Sequence, residues 1–241
     1  MRIDGRMNDE LRKLDFLPDF IETAQGSVII SFGKTRVLCT ATLENDVPPF
    51  LVGRGRGWLT AEYAMLPTST GSRKKRDGIK QDGRSVEIQR LIGRSLRAVC
   101  DFEKMGERSI RIDCDVLQAD GGTRTASISG AYVALMLAAK RWVAQGIMEE
   151  IPVKAAIAAV SCGIVGGEPM LDLCYNEDSK ADVDCNFVMS LADGDAEGRW
   201  IEMQATGEGG TFTKAEMSQL MELAEKGIRE IIAGQKAVIG G

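Results

Sequence analysis

The chain has 241 residues, of which 44% are hydrophobic and only 5% aromatic, so aliphatic side chains should dominate a sizeable core. It contains no histidine, which excludes catalytic triads that use histidine, zinc sites with histidine ligands and imidazole acid–base catalysis. The formal net charge is −5, yet residues 54–97 carry eleven Lys or Arg against four Asp or Glu, which is +7 and leaves −12 for the rest. Such a basic region is either a solvated surface or a groove for nucleic-acid phosphates.

The termini and the cysteines indicate where the protein is expected to work. The N-terminal sequence lacks the apolar core of a secretory signal, and no stretch approaches the ~18 apolar residues of a membrane span. Six cysteines are present without a CxxC pair, and most lie in apolar or alternating runs. We therefore expect a soluble cytoplasmic protein, with reduced thiols in its core and no membrane partner.

The first half of the chain is predicted to contain four strands and two long helices. Runs rich in β-branched and apolar residues predict strands at 27–32, 35–41, 58–66 and 109–117. The pair Gly33-Lys34 predicts a hairpin turn between the first two. Residues 68–81 contain almost no apolar side chain, which indicates an exposed loop. Apolar residues at three- and four-residue spacing predict helices at about 85–103 and about 126–143.

The second half repeats this plan. Strand patterns occur at 155–165, 170–174, 186–191 and about 200–205. Gly166-Gly167 predicts a hairpin turn, and Thr213 with Glu216 has the capping-box spacing that opens a last long helix. No Pro/Ser-type linker separates the halves. The expected fold is α+β, a single domain over residues 1–241 whose mixed β-sheets are covered by three long helices.

The turn from Gly121 to Thr125 is the sharpest local signal for a site. Two glycines permit positive φ angles just before a predicted helix, whose first amides point outwards without partners and favour an anion. Arg124 adds a planar guanidinium suited to phosphate, and Thr123 and Thr125 add hydroxyl donors. A purely structural connection between strand and helix fits the same residues. The turn matches neither the GxxxxGK[ST] nor the GxGxxG nucleotide loop.

Arg84 is a second candidate because it lies at the start of the first long helix. If the two helix starts converge, Arg84 and Arg124 could share one phosphate; otherwise Arg84 is a solvated first-turn residue.

Four carboxylates crowd into residues 177–184. On a strand, Asp182 and Asp184 would point to one face, and Asp178 could approach them across the preceding turn. Such a cluster suits Mg²⁺ or Mn²⁺, or one member could keep a proton as a general acid. A solvated acidic hairpin also fits. The basic run 73–76 could follow an RNA backbone together with Arg54 and Arg56, or simply be solvated.

Long segments in a fixed order resemble the ribonuclease PH family over nearly the whole chain. They are RIDGR at 2–6, GWLTAEYAMLP at 57–67, GRSVEIQRLIGR at 83–94, DCDVLQADGGTRTAS at 113–127 and YNEDSKADVD at 175–184. The resemblance implies a fold of the ribosomal protein S5 domain 2-like type, assembled as a hexameric ring of three dimers. It implies a phosphorolytic 3′→5′ exoribonuclease that trims tRNA precursors with inorganic phosphate as co-substrate and releases nucleoside diphosphates, a reversible nucleotidyl transfer.

The resemblance also assigns residues. It implies phosphate binding by Arg84, Gly122, Thr123 and Arg124. It implies essential aspartates at Asp178 and Asp184, which bind Mg²⁺ or assist protonation of the leaving 3′ hydroxyl, and RNA-gripping arginines at Arg73 and Arg76. Of these, Arg84, Arg124, Asp178 and Asp184 are the expected catalytic residues. One departure is Thr68, where members of the family often have Arg.

Two alternatives use the same residues differently. A hydrolytic, metal-dependent 3′ nuclease would need the carboxylates but no phosphate pocket, and it would release monophosphates without added phosphate. A non-catalytic RNA-binding subunit of a ring would need neither group, although both are present here.

Overall fold

The computed structural model describes residues 2–76 and 82–240. Within these residues the strands are β1 (Leu14–Pro18), β2 (Gly26–Phe32), β3 (Thr35–Glu44), β4 (Trp58–Met65), β5 (Ser109–Gln118), β6 (Ala156–Val165), β7 (Glu168–Leu171), β8 (Val183–Leu191) and β9 (Arg199–Gly207). The helices are α1 (Gly83–Val99), α2 (Thr123–Ala144), α3 (Tyr175–Asp178) and α4 (Lys214–Gly240), and one turn of 3₁₀ helix covers Pro49–Leu51.

The first sheet is mixed and has the strand order β1-β2-β3-β5-β4. Strand β4 runs parallel to β5, and every other pair is antiparallel. Helix α2 packs on β2 and β3, and α1 packs on β4. The approach of α2 is close because Gly130 carries no side chain: a Cβ there would lie 2.7 Å from Cγ2 of Ile30.

The second sheet is antiparallel and has the order β7-β6-β8-β9. Helix α4 covers β6 and β7, while the other side of α2 also packs on β6. Helix α2 therefore lies between the two sheets, which explains why its residues are buried almost all round and why Trp142 is fully buried. The sequence prediction of an α+β fold with three long helices over β-sheets is confirmed, although only the first sheet is mixed.

Some element boundaries differ from the sequence prediction. Strand β1 was not predicted, because its residues alternate only weakly at the edge of the sheet. Helix α1 ends at Val99 rather than near 103, because Cys100 adopts an extended backbone (φ −87°, ψ 151°). The strand predicted at 170–174 ends at Leu171, because Asp172 has a φ of +52°, which no strand residue adopts.

The predicted loop at 68–81 is only partly described, since residues 77–81 lie outside the described residues. From 68 to 76 the chain forms no helix or strand, and Thr68 is exposed while Ser69 is buried. Among the described residues, no helix is both long and apolar enough to cross a membrane.

Candidate active site

The glycine turn leads directly into the first turn of α2. Gly121 and Gly122 have φ angles of +77° and +65°, a left-handed conformation that glycine adopts without steric cost. Helix α2 begins at Thr123, and within the described chain no side chain caps its start. The first amides of a helix have no acceptor inside the helix, and the helix dipole adds partial positive charge there. The turn therefore presents unpaired donors to whatever lies in front of it.

Gly121 also allows the backbone of residues 173–175 to pack directly against this turn. A Cβ at Gly121 would lie 2.6 Å from the carbonyl oxygen of Leu173 and 2.9 Å from the backbone nitrogen of Tyr175, so only glycine fits. The backbone N–H of Tyr175 donates to Asp120 Oδ1 at 3.3 Å. The short helix α3 thus starts directly beside the start of α2.

A cavity of about 550 Å³ lies where these elements meet. It is lined by four of the residues to which the family resemblance assigns a role: Arg84, Gly122, Thr123 and Asp178. The other lining residues are Met65, Thr70, Gly71, Ser72, Lys74, Ala119, Gly121 and Tyr175. The starts of α1 and α2 do converge, and a carboxylate from the second half of the chain faces them.

Arg84 is an exposed residue in the first turn of α1, where Asp82 Oδ1 caps the helix by accepting its backbone N–H at 3.2 Å. The positive charge of Arg84 influences the pKa of two groups at the cavity, Asp178 and Tyr63. Burial raises the pKa of Asp178, while Arg84 acts in the opposite direction and favours the carboxylate. Burial likewise raises the pKa of Tyr63, against a hydrogen bond to Thr123 and the charge of Arg84. Tyr63 Oη and Thr123 Oγ1 are 2.9 Å apart.

Arg124 stands beside the cavity and is not among its lining residues. Its Nη1 donates to Gln204 Oε1 at 3.2 Å, and its Nη2 lies 3.6 Å from Glu87 Oε2. Its charge still reaches the cavity, because it favours the ionised forms of Asp178 and Asp184. The structure therefore separates the two arginines: Arg84 faces the open space, and Arg124 is held at its edge.

Asp178 and Asp184 form the carboxylate pair that the sequence suggested. Asp178 ends α3, and Asp184 lies in β8, with its Oδ2 accepting from Asn186 Nδ2 at 3.4 Å. Burial and the neighbouring charge of Asp178 raise the pKa of Asp184 to about 6. Asp182 precedes β8, and its backbone N–H donates to Ile164 O at 2.8 Å. Because Asp182 lies before β8 and not on it, the strand argument that pairs it with Asp184 does not apply; the carboxylate whose charge acts most strongly on Asp184 is Asp178.

The carboxylate pair fits a hard divalent cation. Carboxylate oxygens are ligands that Mg²⁺ accepts, and Mg²⁺ commonly binds through one or two carboxylates, several waters and substrate phosphates. Within residues 2–76 and 82–240 no group of three or more His, Cys, Asp or Glu side chains is arranged to hold a metal. Any Mg²⁺ at Asp178 and Asp184 would therefore depend on water and substrate oxygens for its remaining ligands.

A buried ion-pair network, which sequence reasoning missed, supports both sides of the cavity. The Arg2 guanidinium binds Glu177 twice, with Nε–Oε1 at 2.8 Å and Nη2–Oε2 at 2.6 Å. Arg12 Nη2 lies 2.6 Å from Asp172 Oδ1, and the Arg12 guanidinium also donates to the carbonyl oxygens of Asp120 and Gly121. Burial raises the pKa of Glu177, but its bonds to Arg2 and to a backbone amide outweigh this and lower it overall.

Of the two loop arginines, Arg73 lines neither this cavity nor its neighbour, and Arg76 lines only the neighbouring one. Arg73 and Arg76 are both exposed, and Arg76 lines a neighbouring cavity of about 370 Å³ together with Lys74 and Lys75. Lys74 also borders the main cavity, so the two spaces are adjacent. The exposed Thr68 lines neither of them.

Comparison with known proteins identifies this arrangement. Residues 10–140 match the family model for domain 1 of the 3′ exoribonuclease family, and residues 155–227 match its domain 2. The ribonuclease PH of Syntrophomonas wolfei is 56% identical to the chain over 241 residues, which is 99% of both sequences. The chain belongs to the ribonuclease PH family. The ribonuclease PH of Bacillus pumilus is 53% identical and covers 100% of the chain and 98% of its own length.

Solved structures with this fold come from exosomes and related proteins. Rice Rrp46 superposes with a TM-score of 0.78 at 18% identity, over 99% of the chain and 100% of its own length, which supports the fold alone. The Archaeoglobus fulgidus exosome with RNA bound to the active site gives a TM-score of 0.79 at 25% identity, over 95% and 91%.

Family membership confirms the phosphorolytic hypothesis over its two alternatives. The chain is a phosphorolytic 3′→5′ exoribonuclease and tRNA nucleotidyltransferase that acts on RNA with inorganic phosphate as co-substrate.

Proposed function

We propose that the cavity between α1, α2 and α3 is the place where phosphate attacks the last phosphodiester of an RNA 3′ end. The observation that carries this proposal is the uncapped start of α2, which opens onto the same cavity as Arg84 and Asp178. In this proposal Arg84 and the amides of Gly122 and Thr123 bind the attacking phosphate, because an anion there satisfies donors that otherwise have no partner.

Arg124 completes the phosphate site from its edge. Its hydrogen bond to the neutral Gln204 can be exchanged for one to phosphate at small cost, since the new acceptor is charged. The guanidinium then offsets part of the repulsion between the incoming phosphate and the RNA phosphodiester.

The reaction transfers one nucleotidyl group. A phosphate oxygen forms a bond to the last phosphorus atom of the RNA, and the bond from that phosphorus to the 3′ oxygen of the preceding nucleotide breaks. The products are a nucleoside diphosphate and an RNA one nucleotide shorter. Phosphate dianion is itself the nucleophile, so alignment and charge stabilisation contribute more than a strong base. A chain without histidine can therefore perform this reaction.

The Asp178–Asp184 pair supports departure of the 3′ oxygen. Two carboxylates in mutual repulsion hold a proton more readily than either would alone, and one of them delivers it to the leaving oxygen. Alternatively, Asp178 and Asp184 would hold Mg²⁺, which would supply positive charge for the same step in place of the proton.

The physiological substrates that we propose are tRNA precursors with 3′ extensions, which Arg73 and Arg76 grip by their phosphates. We propose a hexameric ring of three dimers as the assembled form. All six cysteines are free and buried, which supports the reducing cytoplasm as the place of action.

We also propose that residues 1–241 fold as a single unit, although the family models divide them. The support is α2, which packs on strands of both sheets, and the core that continues from one sheet to the other. One cooperative unfolding transition in urea, coincident by far-UV circular dichroism and tryptophan fluorescence, is the expected result. Two separated transitions would contradict it.

The decisive experiment uses a 3′-extended tRNA with and without phosphate. We expect phosphate-dependent shortening with nucleoside diphosphate products, and a loss of about 100-fold or more in Arg84→Ala and Arg124→Ala. Arg90→Ala is the matched control, because Arg90 is an exposed arginine of the same helix as Arg84 and lies outside the cavity. Monophosphates released in phosphate-free buffer, or full phosphate-dependent trimming by both variants, would refute the proposed site.

A further inference from the structure

One aromatic side chain at the cavity is placed differently from the other tyrosines. Tyr175 has 61% of its surface exposed, whereas Tyr63 and Tyr132 are 3% and 5% exposed. Tyr175 borders the same cavity as Arg84, Gly122 and Asp178. Within the described chain its hydroxyl forms no hydrogen bond. Exposing an aromatic ring of this size forgoes the free energy that burial would provide, and at a binding cavity this favours a role in contacting a ligand.

The backbone of Tyr175 is held firmly even though its ring is open. Its N–H donates to Asp120 Oδ1 at 3.3 Å, and Gly121 packs against its nitrogen. Tyr175 and Asp178 are the first and last residues of α3, and a spacing of three places their side chains on the same side of a helix. The backbone therefore fixes the position from which the Tyr175 side chain extends, between the glycine turn and the Asp178–Asp184 pair.

We propose that Tyr175 is the stacking platform for the 3′-terminal base of the RNA, an inference that rests on the function proposed for the cavity. If phosphate occupies the start of α2, the terminal nucleotide must lie beside it, and its base needs a face to rest on. The remaining lining residues are small, aliphatic or charged. Tyr175 alone among them offers an aromatic ring, and stacking on such a ring tolerates any base.

This placement fits an enzyme that removes nucleotides one after another. Hydrogen bonds to base edges would favour one nucleotide over the others, whereas a ring surface accepts all four. Tyr175 then positions the terminal nucleotide for attack, while Arg84 and the turn position the phosphate.

The experiment compares Tyr175→Ala and Tyr175→Phe on two RNAs that differ only at the 3′ end, one with a terminal adenosine and one with a terminal abasic ribose. Removal of the first nucleotide is followed in single-turnover reactions at saturating phosphate. For the adenosine substrate we expect kcat/KM to fall by about 5- to 150-fold in Tyr175→Ala, the range of stacking one base, and to change less than about twofold in Tyr175→Phe. For the abasic substrate the parent protein and Tyr175→Ala should be equal.

Two controls distinguish base stacking by Tyr175 from a general disturbance of the cavity. Phe20→Ala removes another exposed ring, 49% exposed and outside the cavity, and should leave both substrates unaffected. The KM for phosphate should not change in Tyr175→Ala. An equal loss on the abasic substrate, a raised KM for phosphate, or dissociation of the native assembly in Tyr175→Ala would each overturn the stacking role. If the parent protein released no nucleoside diphosphate, the proposed function would fall and this inference with it; full activity of Tyr175→Ala beside an active parent would refute the inference alone.

Discussion

Asp184→Asn should make the protein more stable and less active, with a stability gain that depends on pH. In the folded protein, burial and the charge of Asp178 raise the pKa of Asp184 to about 6, from an ordinary value of 3.8. Ionising this carboxyl therefore costs more in the folded state than in the unfolded chain. Each pKa unit corresponds to ~1.4 kcal/mol, so the full cost is about 3 kcal/mol.

The pH range of this cost follows from the two pKa values. Well below pH 4 the carboxyl is protonated in both states, and the folded protein carries no penalty. Between about pH 4 and pH 6 the unfolded chain ionises first, so stability falls as pH rises. Above about pH 6 the penalty is complete. Asparagine cannot ionise, and it retains an oxygen that can accept the hydrogen bond from Asn186.

Thermal unfolding at a series of pH values measures the effect, in buffer that contains a chelator and no phosphate, so that no ligand shifts the pKa. At pH 8 we expect Asp184→Asn to melt up to about 6 to 12 °C above the parent protein, since 1 kcal/mol corresponds to about 2–4 °C at this chain length. At pH 4 the difference should shrink to about 1–2 °C, because the carboxyl is then protonated in the folded protein and only roughly half ionised in the unfolded chain. Trimming activity should fall at least ~100-fold, because the site loses one of its two carboxylates.

Asp182→Asn is the matched control, because it removes a carboxylate two residues away that is not the partner of Asp178. It should show neither the gain in stability nor its pH dependence. A constant difference between Asp184→Asn and the parent across this pH range, or a destabilised variant at pH 8, would refute the raised pKa and the repulsion behind it.

Two substitutions test how the cavity is held together. Gly121→Ala should destabilise the protein by ~1–3 kcal/mol more than Gly53→Ala, as measured by urea unfolding. Both glycines have a φ of +77°, but only at Gly121 would the new Cβ meet backbone atoms. Equal losses of stability would mean that the close approach at Gly121 is unimportant. Arg2→Met should cost up to ~3–5 kcal/mol, because the buried Glu177 loses its two-bond ion pair and keeps only the more distant Arg6, whose Nη2 lies 3.7 Å from Glu177 Oε2. Adding Glu177→Gln should recover part of that cost, and if it recovered none, the ion pair would not be its source.

The fold was largely predictable because its elements carry strong local patterns. The apolar stripe of α1 reads directly from the sequence, and Ile88, Leu91, Ile92 and Leu96 are all fully buried. Strand β1 was not predicted because it lies at a sheet edge, has one strand neighbour and contains no fully buried residue. Such a position imposes little alternation of apolar and polar residues on the sequence.

The parts of the site were visible in the sequence, but their assembly was not. The glycine turn suggested an anion site because its chemistry is local. That Asp178 faces this turn depends on Gly121 meeting Leu173, and no local pattern encodes a contact between residues 52 positions apart. The Arg2–Glu177 pair spans 175 positions, so nothing near Arg2 indicates its partner. The pKa of Asp184 likewise arises from tertiary burial and from the neighbouring Asp178.

The cavity has one wall from each of the two segments that the family models match. The glycine turn belongs to residues 10–140, and the carboxylate pair belongs to residues 155–227. In the proposed site, neither segment alone contains all the reacting groups, so activity depends on how the two segments are positioned relative to each other. A displacement of ~1 Å along this seam can cost ~100-fold in rate, even where each segment keeps its own structure. Substitutions along this seam can therefore abolish activity while leaving a folded protein.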